Sequence, residues 1–194
     1  RSTGVKLVLV RFKAVLGDRI YVGILIYSVL QIVALFGYLN TVSFLYQGIY
    51  GLTPALFGLV FASNSVMLYL GTQLGARLGK KYPAQWILII NGILFALAGY
   101  GLIFAGIAVA PLFVVEALVM LMLFNFGSTS TLTGALTLAQ HPNEAGTAAS
   151  LIGVLNFTFT SLLSGFYPML GTNSSFGIGC LIAGCLTLGV LALF

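Results

Sequence analysis

Glu116 is the residue whose type and position point most directly to chemistry. It is one of only three acidic residues in the chain and stands inside a long apolar run, shortly after Pro111. An ionisable group inside a membrane is costly unless it faces protein or water, so it is a candidate functional group. Such a group can accept a proton or pair with a cationic solute. The alternative is an interfacial Glu whose carboxylate reaches the membrane surface.

A polar and aromatic stripe lies along the first apolar run. At 100° per residue, Tyr27, Gln31, Ala34 and Tyr38 fall within about 60° of one another on a helix. Lipid would penalise the Gln31 amide, so this face is expected to point inward. Aromatic rings beside an amide suit an amphipathic solute. The alternative is a packing face with hydrogen bonds between helices.

Two asparagines complete the set of candidate solute-binding residues. Asn64 lies deep in the second apolar run, with Phe57 and Phe61 on its face, and Asn156 belongs to a stripe of small and polar residues in the fifth. Polar side chains in membranes also join helices, so packing competes with binding as the explanation. The predicted solute-binding residues are Tyr27, Gln31, Tyr38, Asn64, Glu116 and Asn156.

Residue sets typical of enzymes are absent from the sequence. The single His141 is remote from Cys180 and Cys185, which predicts no metal site. The hydroxyl run 128–131 has no accompanying base, and such hydroxyls usually bond to carbonyls of the preceding helical turn. No glycine-rich phosphate loop occurs. The sequence therefore predicts no enzyme activity and no cofactor.

The composition indicates the surroundings of these residues. Of 194 residues, 60% are hydrophobic and 6% are charged, whereas a soluble domain carries roughly a quarter charged residues. The mean hydropathy is +1.12. The net charge of +5 does not indicate nucleic acid, because all eight Lys and Arg lie in 1–19 and 77–81. The chain is therefore predicted to be a polytopic membrane protein, and a free soluble enzyme or a nucleic-acid binder is excluded.

Six windows of the sequence are long and apolar enough to cross a bilayer as helices. Prolines mark several starts, as in Thr53-Pro54, Tyr82-Pro83 and Ala110-Pro111. The predicted spans are 20–47, 54–76, 84–106, 111–134, 145–169 and 174–194. The expected organisation is a linker or interfacial segment at 1–19, followed by a six-helix bundle at 20–194.

The basic residues predict the orientation of the bundle. They cluster before the first span and in the link after the second, while the links at 48–53, 107–110 and 170–173 carry no charge. The positive-inside rule then puts the N-terminal segment in the cytoplasm. Six crossings return the chain to the same side, and the link at 135–144, with His141 and Glu144, is expected there too.

Small residues predict where helices approach closely. Gly71 and Gly75, and likewise Ala149 and Gly153, are four residues apart and therefore share a helix face. Close helix packing is the simpler interpretation. In a transporter the same contacts can also slide, so packing and mechanism are compatible.

Three stretches of the chain carry a family resemblance. The segment TQLGARLGKK resembles the cytoplasmic loop motif of the major facilitator superfamily, G-x-x-x-D-R-x-G-R-K, with Thr72 in place of the leading Gly and Ala76 in place of the Asp. The matching positions are Arg77, Gly79, Lys80 and Lys81. Two further segments resemble the second half of the bicyclomycin/chloramphenicol-resistance (Bcr/CflA) drug:proton antiporters. They are FLYQGIYGLTPALFGLVFASNS and HPNEAGTAASLIGVLNF. The resemblance covers residues 10–194.

The resemblance implies an all-α membrane protein that forms one half of a twelve-helix carrier. Two six-helix halves would rock around a central cavity, and the first, fourth and fifth spans would contribute cavity residues. The implied partners are membrane lipid, protons, a small amphipathic solute and an N-terminal six-helix half. The implied activity is drug efflux in exchange for protons across the plasma (inner) membrane. Glu116 is the proton-coupling candidate, although the principal coupling acid of the family lies in the first half.

Two alternatives are weighed beside drug efflux. A metabolite or sugar importer of the same superfamily would fit the motifs, but a substrate with a fixed charge predicts a Lys or Arg inside a span, and none occurs. A six-helix channel or non-transporting scaffold predicts a chain that is complete and stable by itself.

Overall fold

The computed structural model describes residues 17–140, 145–165 and 175–193, which form helices and contain no strand. The helices are α1 (Arg19–Ser43), α2 (Pro54–Lys81), α3 (Ala84–Ile107), α4 (Leu112–Gln140), α5 (Ala145–Ser164) and α6 (Ser175–Leu191). A π-helical turn, Phe44–Ile49, prolongs α1. The predicted all-α class is confirmed for these segments. The predicted segment at 1–16, the link around His141 and Glu144, and the turn at 170–173 lie outside the described residues.

Four of these helices have the length and composition of membrane spans. They cover Arg19–Ile49, Pro54–Lys81, Ala84–Ile107 and Leu112–Leu136. The described apolar parts of α5 and α6, Ala149–Ser164 and Ser175–Leu191, are shorter. Large apolar side chains cover the outside of the bundle, and Trp86, Phe104 and Phe113 are all more than 60% exposed. The chain is therefore embedded in a membrane, where lipid rather than water surrounds these side chains.

Local signals in the sequence explain where the helices begin. Asp18 caps α1 by accepting a hydrogen bond from the Ile20 amide at 2.9 Å. Thr53 caps α2 in the same way, with Pro54 in the first turn as predicted. Pro83 precedes α3 as its N-cap residue. These signals locate the first residues of the helices.

Two helices continue past the predicted ends of the second and fourth spans. Arg77, Lys80 and Lys81 lie on the last turns of α2 rather than in a link, because the first strong helix breaker after Gly79 is Pro83. Basic side chains also favour the C-terminal turn of a helix. The fourth helix continues to Gln140, six residues past the predicted end, since no Gly or Pro interrupts 135–140.

Glycines bring two pairs of helices into close contact, α2 with α4 and α3 with α6. On α2, Gly71 lies against the backbone of Phe124, and a Cβ at Gly75 would lie 2.6 Å from the Ser128 carbonyl oxygen. The predicted packing role of these two glycines is confirmed. Gly153 on α5, a member of the second predicted pair, has no described atom within 4 Å of its Cβ position and makes no such contact with the described residues.

A compact turn joins α3 to α4 at the end of the bundle that carries no charge. The Ala110 amide donates to the Ala105 carbonyl at 2.9 Å, a bond that closes many helix C-termini. Val109 has a φ of 49° there, where glycine is usual. The Tyr50 hydroxyl, whose pKa is raised by burial, donates to the Ala110 carbonyl at 2.9 Å and ties the end of α1 to this turn.

Candidate functional site

The π-helical turn at the end of α1 positions a tyrosine that the sequence analysis did not single out. In this turn the backbone hydrogen bonds join residues that are five positions apart instead of four, as from the Tyr50 amide to the Leu45 carbonyl at 3.2 Å. Tyr46 lies inside this turn and is 0% exposed. π-Turns insert an extra residue into a helix and are frequent at functional sites. Here the insertion directs the Tyr46 phenol toward α4.

The Tyr46 hydroxyl donates a hydrogen bond to Glu116 Oε2. Glu116 lies in the second turn of α4 and its side chain is half-buried. Its other carboxyl oxygen, Oε1, is buried and has no hydrogen-bond partner among the described residues. The carboxyl group thus contacts the bundle rather than extending freely to the membrane surface. Of the two carboxyl oxygens, Oε1 is therefore the one available to receive a proton or to accept a hydrogen bond.

Asn64 and Tyr38 lie next to this pair. The Asn64 Nδ2 donates to the Tyr38 hydroxyl oxygen at 3.3 Å, while Asn64 Oδ1 is buried without a described partner. Both side chains lie close enough to the Glu116 carboxyl group to interact with it. We call Tyr38, Tyr46, Asn64 and Glu116 the carboxyl cluster. It joins α1, α2 and α4, and three of its four members were predicted as separate candidates.

Aromatic side chains form the wall beside the carboxyl cluster. The rings of Tyr46 and Phe57 have centroids 6.1 Å apart, and those of Phe57 and Phe61 are 5.8 Å apart. Next to them, a recess of about 120 Å³ opens between α1 and α2 and is lined partly by Tyr38 and Asn64. The recess therefore adjoins two members of the cluster, Tyr38 and Asn64.

A second recess, of about 470 Å³, lies between α1 and α5. Its polar lining consists of Asn40, Thr160, Ser161 and Ser164. Leu39 lines both recesses, so the two adjoin across α1. We call this combined surface the open face; it is lined by Phe36, Leu39, Asn40, Phe61, Ser65, Ser161 and Ser164. It combines aromatic, aliphatic and hydrogen-bonding groups.

The other predicted site residues lie away from the carboxyl cluster. Gln31 is 2% exposed and donates to the Phe126 carbonyl at 3.1 Å and to the Thr129 hydroxyl, so it joins α1 to α4. The Tyr27 ring packs on Gly92 of α3 and Gly189 of α6. These contacts are those of a packing face, which the sequence analysis held open as the alternative.

Asn156 also lies apart from the cluster. Its Nδ2 donates to the Ser28 hydroxyl at 3.3 Å, joining α5 to α1, and its Oδ1 is buried without a described partner. The hydroxyl run on α4 behaves as predicted, since Thr129 donates to the Asn125 carbonyl at 2.8 Å. Asn91 of α3, which the sequence analysis overlooked, donates to Ser128 at 3.3 Å.

Comparisons with known proteins identify related sequences. No protein-family model matches the chain, and no solved structure matches it. The chain is 26% identical over 161 residues to the "uncharacterized MFS-type transporter YdgK" of Bacillus subtilis, covering 82% of this chain and 39% of that protein. It is also 26% identical over 160 residues to the "bicyclomycin resistance protein homolog" of Haemophilus influenzae, covering 82% of this chain and 40% of that one.

These similarities agree with the motifs in the sequence. The chain spans about two fifths of the length of both curated relatives. The resemblance to the major facilitator superfamily is confirmed, and neither relative bears the name of an enzyme. The chain is therefore similar to transport proteins, and the carboxyl cluster and the open face are its candidate transport site.

Proposed function

We propose that the chain forms the second six-helix half of a twelve-helix drug:proton antiporter. The single observation that carries this proposal is the carboxyl cluster, in which Glu116 is held by a tyrosine inside an apolar bundle and lies next to an open face. The match to about two fifths of the length of both curated relatives supports the same proposal. In it, α5 and α6 are the fifth and sixth spans of this half.

The carboxyl cluster has the groups needed to hold Glu116 in either protonation state. An ionised carboxylate accepts the hydrogen bond from the Tyr46 hydroxyl. A protonated carboxyl gains an O–H donor, and the same Tyr46 hydroxyl can accept from it because a phenol oxygen both donates and accepts. An ionisable group in such a position is the usual element of a proton pathway through a membrane. We therefore assign proton coupling to Glu116.

The open face has the chemistry expected for an amphipathic solute. Phe61 and Leu39 offer apolar contact, while Asn40 and Ser161 offer hydrogen bonds. No Lys or Arg lies in any of the six predicted spans, so nothing there favours a substrate with a fixed negative charge. A carboxylate nearby favours a cation instead. The proposed substrates are neutral or cationic amphipathic compounds, exported from the cell.

The remaining partners follow from this assignment. The N-terminal six-helix half would face the open face and close the solute path, because such cavities lie between the two halves. The basic end of the bundle, which carries Arg77, Lys80 and Lys81 on α2, would lie in the cytoplasm of the cell whose plasma membrane holds the carrier.

Transport measurements on the whole carrier test the proposal. Vesicles containing it are expected to move an amphipathic cation such as ethidium when a proton gradient is imposed. Dissipating the gradient should stop this movement, and unchanged movement would rule out antiport. Glu116→Gln should remove the gradient-driven component, whereas Glu144→Gln, a matched change in a predicted link, should retain it. Full activity of Glu116→Gln with an unaltered pH profile would leave the residue only an anchoring role.

A further inference from the structure

A groove that is separate from the carboxyl cluster runs between α2, α3 and α4 and starts near the basic end of the bundle. Its volume is about 570 Å³, which is enough for a lipid chain or a drug-sized molecule. Tyr82 and Trp86 line the groove and are 50% and 63% exposed. Aromatic residues of this kind mark the level of lipid headgroups. The groove therefore extends from the headgroup level toward the middle of the bundle.

The wall of the groove is suited to a hydrocarbon chain. It consists mainly of aliphatic side chains, which include Leu74, Leu78, Ile90, Leu94 and Leu121. Two asparagines also line it, but their amide donors are engaged by the protein. Asn91 donates to the Ile87 carbonyl at 2.9 Å and Asn125 to the Leu121 carbonyl at 2.7 Å.

Uncompensated positive charge lies beside the start of the groove. Arg77 and Lys81 are one helical turn apart on α2 and flank the stripe that lines the groove, and Lys81 Nζ lies 5.4 Å from the centre of the Tyr82 ring. Both side chains are exposed, and neither has a carboxylate partner within the described ranges. The α3 N-terminus adjoins them without a side-chain cap, so its first amides add partial positive charge.

We propose that this groove binds an anionic phospholipid. The phosphate would lie between Arg77 and Lys81, near the first amides of α3, and one acyl chain would fill the groove along Leu74 and Leu78. The charges select the headgroup, because a zwitterionic lipid would leave the two cations unbalanced. Basic pockets between membrane helices bind anionic lipids on the same principle. The proposal does not depend on the transport activity or on Glu116.

The single tryptophan of the chain makes the site directly measurable, because Trp86 lines the groove. The chain is reconstituted in phosphatidylcholine vesicles that contain increasing fractions of bromine-labelled phosphatidylglycerol or bromine-labelled phosphatidylcholine, and quenching of the Trp86 fluorescence is followed. Half-maximal quenching is expected at a fraction of labelled phosphatidylglycerol about tenfold lower than that of labelled phosphatidylcholine, because each basic residue strengthens the attraction to an anionic lipid several-fold.

Variants separate a specific site from general surface attraction. The double change Arg77→Gln, Lys81→Gln should reduce the preference to about twofold or less by removing the proposed phosphate contacts. The matched change Lys80→Gln, at a position roughly 160° around α2 from the groove-lining Leu78, should leave most of the preference intact. Circular dichroism checks that each variant retains its helices. Equal quenching by both labelled lipids, or a loss of preference in Lys80→Gln as large as that in the double variant, would overturn the proposal.

Discussion

At the scale of single residues, Tyr46 explains how a carboxyl group is accommodated inside an apolar bundle. Its hydroxyl gives Glu116 a direct hydrogen-bond donor, and its ring completes the aromatic wall with Phe57. A buried polar group that loses its partner costs roughly 1–3 kcal/mol. Tyr46 is therefore a positioning residue for Glu116, and its hydroxyl is the atom to remove in a test.

Tyr46→Phe is expected to destabilise the chain by about 1–3 kcal/mol, because it leaves Glu116 Oε2 without its donor while changing the packing little. The measurement is the thermal unfolding midpoint in detergent, compared with that of the unaltered protein. Tyr69→Phe is the matched control, since Tyr69 is 61% exposed and should have almost no effect. Equal midpoints for Tyr46→Phe and the unaltered protein would remove the proposed positioning role.

The sequence predicted Glu116, Tyr38 and Asn64 one by one, but not that they meet. Their types and depths are visible in the sequence, because each is a polar residue in an apolar run. Their contact depends on how α1, α2 and α4 pack, and hydrophobic periodicity does not specify packing partners. Tyr46 was missed for a local reason: the π-turn adds a residue and so changes the helical register after Ser43.

At the scale of helices, the close approach of α2 and α4 holds the site together. Asn64 of α2 and Glu116 of α4 belong to the carboxyl cluster, and Gly71 and Gly75 let the two backbones meet farther along the same helix pair. The spacing of small residues correctly predicted a close contact on this face of α2, but not the helix that makes it. In the second predicted pair, Gly153 has no close neighbour within the described segments, because spacing indicates a compatible face and not its partner.

Two alanine substitutions on α2 test this contact, one at the contact and one at a glycine of the same helix that has no close neighbour. Gly75→Ala is expected to destabilise the chain by about 1–3 kcal/mol, because the new Cβ would lie 2.6 Å from the Ser128 carbonyl oxygen. Gly58→Ala, on the same helix with nothing within 4 Å, should be neutral or stabilising by up to about 1 kcal/mol. Thermal unfolding in detergent measures both, and a Gly75→Ala variant as stable as Gly58→Ala would contradict the close packing.

At the scale of the whole molecule, the bundle has two kinds of surface. Its outer side is apolar, as at Leu97, which is 55% exposed on α3. The open face differs because Asn40 and Ser161 are both exposed and polar. Composition alone predicted the membrane environment, since lipid requires an apolar exterior. It could not predict which side of each helix belongs to the solute path, because both sides are largely apolar.

Cysteine labelling distinguishes these surfaces in the proposed carrier. After Cys180→Ala and Cys185→Ala remove the thiols of this chain and any other cysteines of the carrier are replaced, Asn40→Cys and Ser161→Cys are expected to react with a water-soluble maleimide. The reason is that the open face would line a water-filled path. Leu97→Cys, on the lipid-facing side, should stay unlabelled, because a charged reagent does not partition into hydrocarbon. A saturating amphipathic solute should slow the reaction at the open face. Labelling of Leu97→Cys as fast as that of Asn40→Cys would instead mean that the open face has no special access to water, and the solute path would have to lie elsewhere in the carrier.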